Sequence, residues 1–413
     1  QMKVGLKTEI ASPGFINIFV EEQGLDELAK IILKEKSKFG RGERKDGVII
    51  IEYSSPNIAK PMGIHHMRTT IIGQALVNMY EFLGYKVKAM SFPGDWGTQF
   101  GSLISAYKKW GSQEKMSEDP IKEMLDLYVR FSQAAKENES LQEEAKMEFK
   151  KLEDGDKENR QLWKWFRDES FKEFDKVYEI LGVKIPLVFA ESYFEPMLKQ
   201  VLKDAESKGI SQKGEDGSVI IPLKDEKTPL LLQKSDGATL YATRDLAQMK
   251  YRMRRWNPEK ILVVVANQQT FYFRQLFEAA ELLGYARREQ LEHVKFGMVL
   301  APGGKKFATR EGNLVPMEEV LREAVDRAYS VVNKLNPDLP EKEKREVARM
   351  VGIGAVKFFD LAQNRLSDIV FDWDKMLSLR GSSAPYLQYS YARIQPMMRK
   401  AEKNPKKLDI SLI

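Results

Sequence analysis

Val48-Ile49-Ile50-Ile51-Glu52-Tyr53 is a short, β-branched apolar run; the loop Ser54 to Met62 follows it, and Met67 to Leu83 then carries apolar residues at helical spacing up to Gly84. A run of that length bounded by turn chemistry predicts a parallel strand buried on both faces. Gly84 is a helix C-cap signal, and Lys86 to Phe92 predicts a second strand directly after it. Strand, loop, helix, strand is one βαβ unit. It predicts an α/β chain with a doubly wound, Rossmann-like parallel sheet, whose ligands sit at the carboxyl ends of the strands.

Working outward, Pro13 to Val20 is β-rich, Gly24 to Lys36 has helical spacing, and a basic turn occupies Lys38 to Lys45. With Gln ahead of Met, the start reads as cut from something longer. From Ser112 to Ile180 the composition shifts to Glu, Lys, Ala, Leu and Gln, which predicts a helical insertion with solvated charged faces. Strand character returns at Leu187 to Ala190, Val219 to Pro222, Leu230 to Gln233 and Ile261 to Ala266. A helix is expected over Phe271 to Leu283, another alternation ending at Val294 to Leu300, and mostly helix from Pro316 onward, including Ser390 to Ala401.

Bulk composition narrows the function classes. At 413 residues the chain exceeds one ordinary core, and 43% hydrophobic with 31% charged residues suits a soluble protein. No segment reaches bilayer-spanning length and no leader pattern opens the chain, so membrane roles are not expected. There is no cysteine, which excludes disulfides and thiolate metal sites and points to a reducing compartment, the cytoplasm. Three histidines (His65, His66 and His293) leave little for a multi-histidine metal centre, so no protein metal site is expected. The formal charge of +6 suits a polyanionic partner without requiring one.

The chemistry concentrates in Ser54-Ser55-Pro56-Asn57-Ile58-Ala59-Lys60-Pro61-Met62-Gly63-Ile64-His65-His66-Met67-Arg68-Thr69-Thr70, between the first strand and its helix. Free backbone N–H groups and the helix dipole favour anions there, and histidine and lysine donors can stabilise charge on a transferring nucleotidyl group. Taken alone, the stretch reads equally as a helix start with two surface histidines. Its neighbours change the balance. Gly94-Asp95-Trp96-Gly97-Thr98-Gln99-Phe100-Gly101, Tyr241-Ala242-Thr243-Arg244-Asp245-Leu246-Ala247 and Pro385-Tyr386-Leu387-Gln388-Tyr389 follow in order.

Together these segments resemble the arginyl-tRNA synthetases, a class I aminoacyl-tRNA synthetase family, over about residues 10 to 400. The resemblance implies an arginine–tRNA ligase core that uses ATP, with Mg²⁺ carried on the nucleotide, L-arginine and tRNA(Arg) as substrates, and a monomer as the default. It implies Ser55, Asn57, Glu191, Tyr241, Asp245 and Gln269 as arginine-binding residues. Carboxylates suit the guanidinium fork, and Tyr241 and Asp245, four apart, share a helix face. It also implies His65, His66, Lys60 and Lys306 as catalytic residues, and Gly63, His66, Thr309 and Arg310 at ATP. The implied organisation is 1–22 as the remnant of an N-terminal tRNA-contacting domain and 23–112 as the first half of the catalytic domain. A helical insertion follows over 113–185, the second half over 186–315, and a helical stem leading into an anticodon-binding domain over 316–413.

The chain departs from the family pattern at three places. In Gly63-Ile64-His65-His66 the first and third residues of the His-Ile-Gly-His motif are exchanged. Adjacent histidines on a helix should splay by about 100°, and an imidazole replacing glycine should obstruct adenine, so weakened or rearranged ATP binding is expected. Lys306-Phe307-Ala308-Thr309 stands in place of Lys-Met-Ser-Lys, with Lys60 as the substitute cation, and Tyr272 stands where the family usually has histidine. The terminal RNA-binding domains are also mostly missing from the pattern. The alternative reading is therefore a degenerate or truncated synthetase-like binding protein with impaired adenylation; a third is a nucleotidyl transferase acting on another carboxylate.

Overall fold

The computed structural model describes residues 6–224, 226–301, 303–304 and 315–400. Its centre is a five-stranded, all-parallel sheet in the spatial order Leu291–His293, Lys260–Val263, Val48–Glu52, Lys86–Ser91, Leu187–Val188. The chain lays down Val48–Glu52 and moves to one side through Lys86–Ser91 and Leu187–Val188. It then crosses back to place Lys260–Val263 on the other flank of Val48–Glu52. The order reverses between those two strands, which makes their carboxyl ends the place where a doubly wound sheet opens a crevice.

The apolar runs form strands because both faces are covered. Ile49 and Ile51 pack into one apolar cluster, with the helix Met67–Phe82 and the helical insertion. Ile50 packs into another, with the helices Leu198–Ser207, Tyr241–Trp256 and Thr270–Leu282. The helix Met67–Phe82 ends as expected: Gly84, at φ +88°, sends its N–H to Glu81 O at 3.1 Å, and Tyr85 N–H reaches Tyr80 O at 3.1 Å. Gly73 in the same helix lets Tyr53 approach, since a Cβ there would lie 2.1 Å from the tyrosine ring.

The predicted insertion is four helices, Gln113–Glu118, Pro120–Glu137, Glu139–Asp154 and Lys157–Leu181. Val219–Ile221 and Leu230–Gln233 join Gln212–Lys213 in a separate antiparallel sheet. The expected strand over Val294 to Leu300 is corrected. The parallel strand is Leu291–His293, whereas Val299–Leu300 pairs with Ile369–Val370 outside the main sheet. The edge strand is half exposed and carries Glu292 among its three residues, so no apolar run marks it. The stem is the helices Met317–Leu335, Glu341–Leu361 and Ala384–Lys400, the last beginning six residues earlier than the expected Ser390. Leu6–Ala11 and Phe15–Val20 form an antiparallel hairpin ahead of them all.

Candidate active site

A cavity of about 430 Å³ opens at the reversal point. Its wall includes Glu52, Ser54, Ser55, His65, His66, Thr69, Glu191, Tyr241, Asp245, Gln269 and Tyr272. Of the residues implied by the resemblance, Ser55, His65, His66, Glu191, Tyr241, Asp245 and Gln269 thus share one space. Asn57 and Lys60 line a neighbouring recess with Gln99 and Tyr128. Gly63 lies behind the histidines, bridged to Pro316. Lys306, Thr309 and Arg310 lie outside the described residues.

The loop after Val48–Glu52 is held by side chains of the following helix. Thr69 Oγ1 accepts from Ser54 N–H at 3.1 Å and donates to Val264 O at 2.6 Å, tying together the ends of the two strands that flank the crevice. Ser54 sits at φ +52°, an uncommon conformation for a serine. Thr70 Oγ1 to Ser54 Oγ at 2.7 Å, Ser91 Oγ to Ser54 O at 2.7 Å and Tyr178 OH to Ser54 O at 3.1 Å over-determine it. Ser55 Oγ in turn accepts from Phe92 N–H at 2.9 Å.

Residues 62–64 are gripped from the far end of the chain. Ile64 N–H donates to Val315 O at 3.0 Å, and Met317 N–H to Met62 O at 2.7 Å. Ile64–His66 is a 3₁₀ turn, and the expected splay of the histidines does not extend to their rings, whose centroids are 3.9 Å apart. Side-chain torsions close the angle that the backbone opens, and both imidazoles line the cavity. His66 is half-buried, whereas His65 keeps part of its ring exposed. Burial, then the neighbouring His65, lowers His66 to about 3, and burial with Lys60 lowers His65. Both are neutral at physiological pH, and His66 Nδ1 is buried with no partner among the described residues.

Three carboxylates face the cavity from three elements. Glu52 ends its strand and is ion-paired with Arg252. Glu191 opens the short helix Glu191–Phe194, which the glycine-rich segment fixes in place: Glu191 N–H donates to Pro93 O at 3.1 Å. Ser192 donates to Asp95 through N–H at 2.8 Å and Oγ at 2.7 Å. Asp245 is on the helix Tyr241–Trp256, where Tyr241, Asp245, Gln248 and Arg252 recur every three or four residues and form one stripe. Gln248 donates to Asp245 Oδ1 at 2.7 Å, and Tyr272 donates to Asp245 Oδ2.

Gathering this acidity in one cavity is costly. Burial, with Asp245 and Asp95 adding repulsion against the pull of Arg244, raises Glu191 to about 8. Burial and Glu52 raise Asp245 to about 6, although Tyr272 and Gln248 hold it down. A cation that accepts two carboxylates relieves both penalties, and a planar guanidinium has the donor fork to do so.

Sequence reading missed Thr69, Asp95, Gln248 and Arg252 as parts of this assembly. Their partners lie far away in the chain, and only the helical stripe from Tyr241 carried a local signal for two of them. Among the described residues there is no group of three or more His, Cys, Asp or Glu able to hold a metal ion, and no helix long and apolar enough to cross a membrane.

A parallel sheet with histidines at its reversal point, an acid-lined cavity and a helical stem is the architecture of a class I synthetase core. Residues 27–373 match the family described as tRNA synthetases class I (R), catalytic domain, and the chain belongs to that family. Its relatives narrow the class. The arginine–tRNA ligase of Exiguobacterium sp. is 43% identical over 396 residues, covering 95% of this chain and 70% of that protein. The arginine–tRNA ligase of Enterococcus faecalis is 41% identical over 401 residues, covering 97% and 70%. The crystal structure of the arginyl-tRNA synthetase of Plasmodium falciparum superposes with a TM-score of 0.81 at 26% identity, covering 100% of this chain and 71% of that one.

Proposed function

We infer that this chain is the catalytic core of an arginine–tRNA ligase. The observation that carries the reading is the convergence of Glu191, Asp245, Tyr241 and Gln269 with two adjacent histidines in one cavity at the sheet's reversal point. A carboxylate oxygen of L-arginine attacks the α-phosphorus of ATP, forming arginyl-adenylate and releasing pyrophosphate. A ribose hydroxyl at the 3′ end of tRNA(Arg) then attacks the activated carbonyl, losing its proton as AMP leaves. Both steps proceed by positioning and charge stabilisation, without a covalent protein intermediate.

In this reading Glu191 and Asp245 bind the guanidinium, with Tyr241 and Gln269 beside them, and Ser55 and Asn57 hold the amino-acid backbone end. His65, His66 and Gly63 receive the nucleotide, together with Thr309 and Arg310. Lys60 and Lys306 are the cations on the pyrophosphate side. Neutral imidazoles suit this arrangement, since they donate hydrogen bonds and gain protons only as phosphate charge arrives. Mg²⁺ travels with the ATP phosphates, which need few protein ligands. The proposed setting is a cytoplasmic monomer, organised as the two catalytic halves 23–112 and 186–315 around the insertion 113–185. Residues 1–22 would then belong to an N-terminal tRNA-contacting domain, and 316–413 to the stem leading into an anticodon-binding domain.

The exchanged motif keeps the binding-only alternative specific enough to test. ATP–pyrophosphate exchange dependent on L-arginine, measured with and without tRNA(Arg), decides it. Exchange in either condition supports the ligase; arginine binding without exchange in both favours the binding protein. Competition by other amino acids at equal concentration would favour the third reading, a different carboxylate substrate.

A further inference from the structure

We propose that Tyr272, assisted by Gln248, is a positioning residue that fixes the carboxylate of Asp245, so that this aspartate presents a two-oxygen face to the guanidinium. The proposal rests on the functional reading above. Tyr272 lies on the helix Thr270–Leu282, which packs across the cavity from Asp245's own helix. Its hydroxyl donates to Asp245 Oδ2, while Gln248 Nε2 donates to Oδ1 at 2.7 Å. Each carboxylate oxygen has two acceptor positions, so one donor on each leaves one position free per oxygen. Two parallel positions on one carboxylate match the paired N–H groups of a guanidinium.

The ring does a second task. It meets Tyr241 edge-on with centroids 4.9 Å apart, so the same residue steadies another member of the proposed arginine site. Hydroxyl and ring can therefore be separated by substitution.

Charge at Asp245 depends on everything that faces it. Glu52 at its strand end is a like charge, Glu191 on its short helix becomes one only as the pH approaches its own raised value of about 8, Arg252 on its own helix opposes them, and Tyr241, His65 and His66 complete the wall without charge. Burial dominates and disfavours the carboxylate, and the Tyr272 hydroxyl is the strongest influence acting the other way. Burial and Asp245 itself raise the tyrosine's own ionisation well above its ordinary value, so it remains a donor throughout the range in which Asp245 titrates. Losing this hydroxyl should therefore move Asp245 upward.

The test is calorimetric titration of L-arginine into the wild-type chain and Tyr272→Phe at pH 6 and pH 8.5, with thermal unfolding as a folding check. That upward move predicts that Y272F binds arginine severalfold more weakly than wild type at pH 6, where Asp245 is half ionised in wild type, and nearly as tightly at pH 8.5. A purely structural role would weaken both pH values alike, and that result, or affinities equal to wild type at both, overturns the proposal. If Y272F does not fold, Gln248→Met, which removes the donor on Oδ1, carries the same expectation and the same refutation. Wild type that does not bind arginine at either pH overturns the functional reading itself, and this proposal with it. Binding by wild type with a pH-independent deficit in the variant overturns this proposal alone.

Discussion

Arginine should bind this chain by displacing a proton. Burial holds the Glu191 carboxyl at about 8 and Asp245 at about 6. At pH 7 the first is then about nine-tenths protonated and the second about one-tenth. The guanidinium stays charged across this range and is best held by two carboxylates, so its entry drives both to ionise and releases about one proton. If only the ionised forms bind, apparent affinity should strengthen on the order of a hundredfold between pH 6 and 8.5, or about 3 kcal/mol. Glu191 accounts for most of that, because it passes from about 1% to about three-quarters ionised inside the window, whereas Asp245 gains only about twofold. Calorimetry at several pH values, repeated in two buffers of different ionisation enthalpy, reads the affinity slope and the proton count independently. Glu191→Gln should bind more weakly at pH 8.5 and lose most of the slope. A wild-type affinity that is flat from pH 6 to 8.5, or binding heats that do not depend on buffer, would refute the reasoning.

Three other outcomes follow from the geometry. Asp360→Ala leaves Arg68, 1% exposed, without the carboxylate that binds its Nε at 2.7 Å; urea unfolding at neutral pH should show a loss of about 3–5 kcal/mol, and a change below 1 kcal/mol would mean the pair does not matter. Gly73→Ala gains up to about 1 kcal/mol of helix propensity. It also drives a methyl to within 2.1 Å of the buried Tyr53 ring, an overpacking worth about 1–3 kcal/mol, so a lower melting temperature is expected and a higher one would count against the close approach. His66, lowered to about 3 when the cavity is empty, should remain neutral by nitrogen NMR down to pH 5 and shift toward the protonated form when ATP is added; a charged His66 at pH 6 without nucleotide would contradict its burial.

What could be read in the chain beforehand was whatever is written locally. Val48–Glu52, Lys86–Ser91 and Lys260–Val263 are central strands buried on both faces, so their runs stand out. Leu291–His293 is an edge strand whose middle residue meets solvent, and its polar content hid it. Glu191, Tyr241, Asp245 and Gln269 were singled out through the order of family segments, and helical spacing placed two of them on one face. Their supports were not legible, because nothing near Asp95 says that Ser192, 97 residues later, will bond to it. Tyr272 stood out only as a departure from the pattern; its link to Asp245, 27 residues earlier, needed the packing of two helices. The splayed histidines failed for a related reason, since backbone geometry was extrapolated to side-chain ends that torsions can bring back together.

The grip on residues 62–68 bears on how this protein can be recombined. Met62 and Ile64 are bonded to Met317 and Val315, and Arg68 reaches Asp360, Gly297 O and Ser367 O. A chimera that takes its amino-terminal third from one relative and its stem from another asks two parents' sequences to meet across the Met62–Met317 and Arg68–Asp360 contacts. Viable crossovers should be those that inherit 62–68 together with 297, 315–317 and 360–367 from a single parent. The stem and the motif loop therefore form one inheritance block, although about 230 residues lie between Arg68 and the nearest of its distant partners.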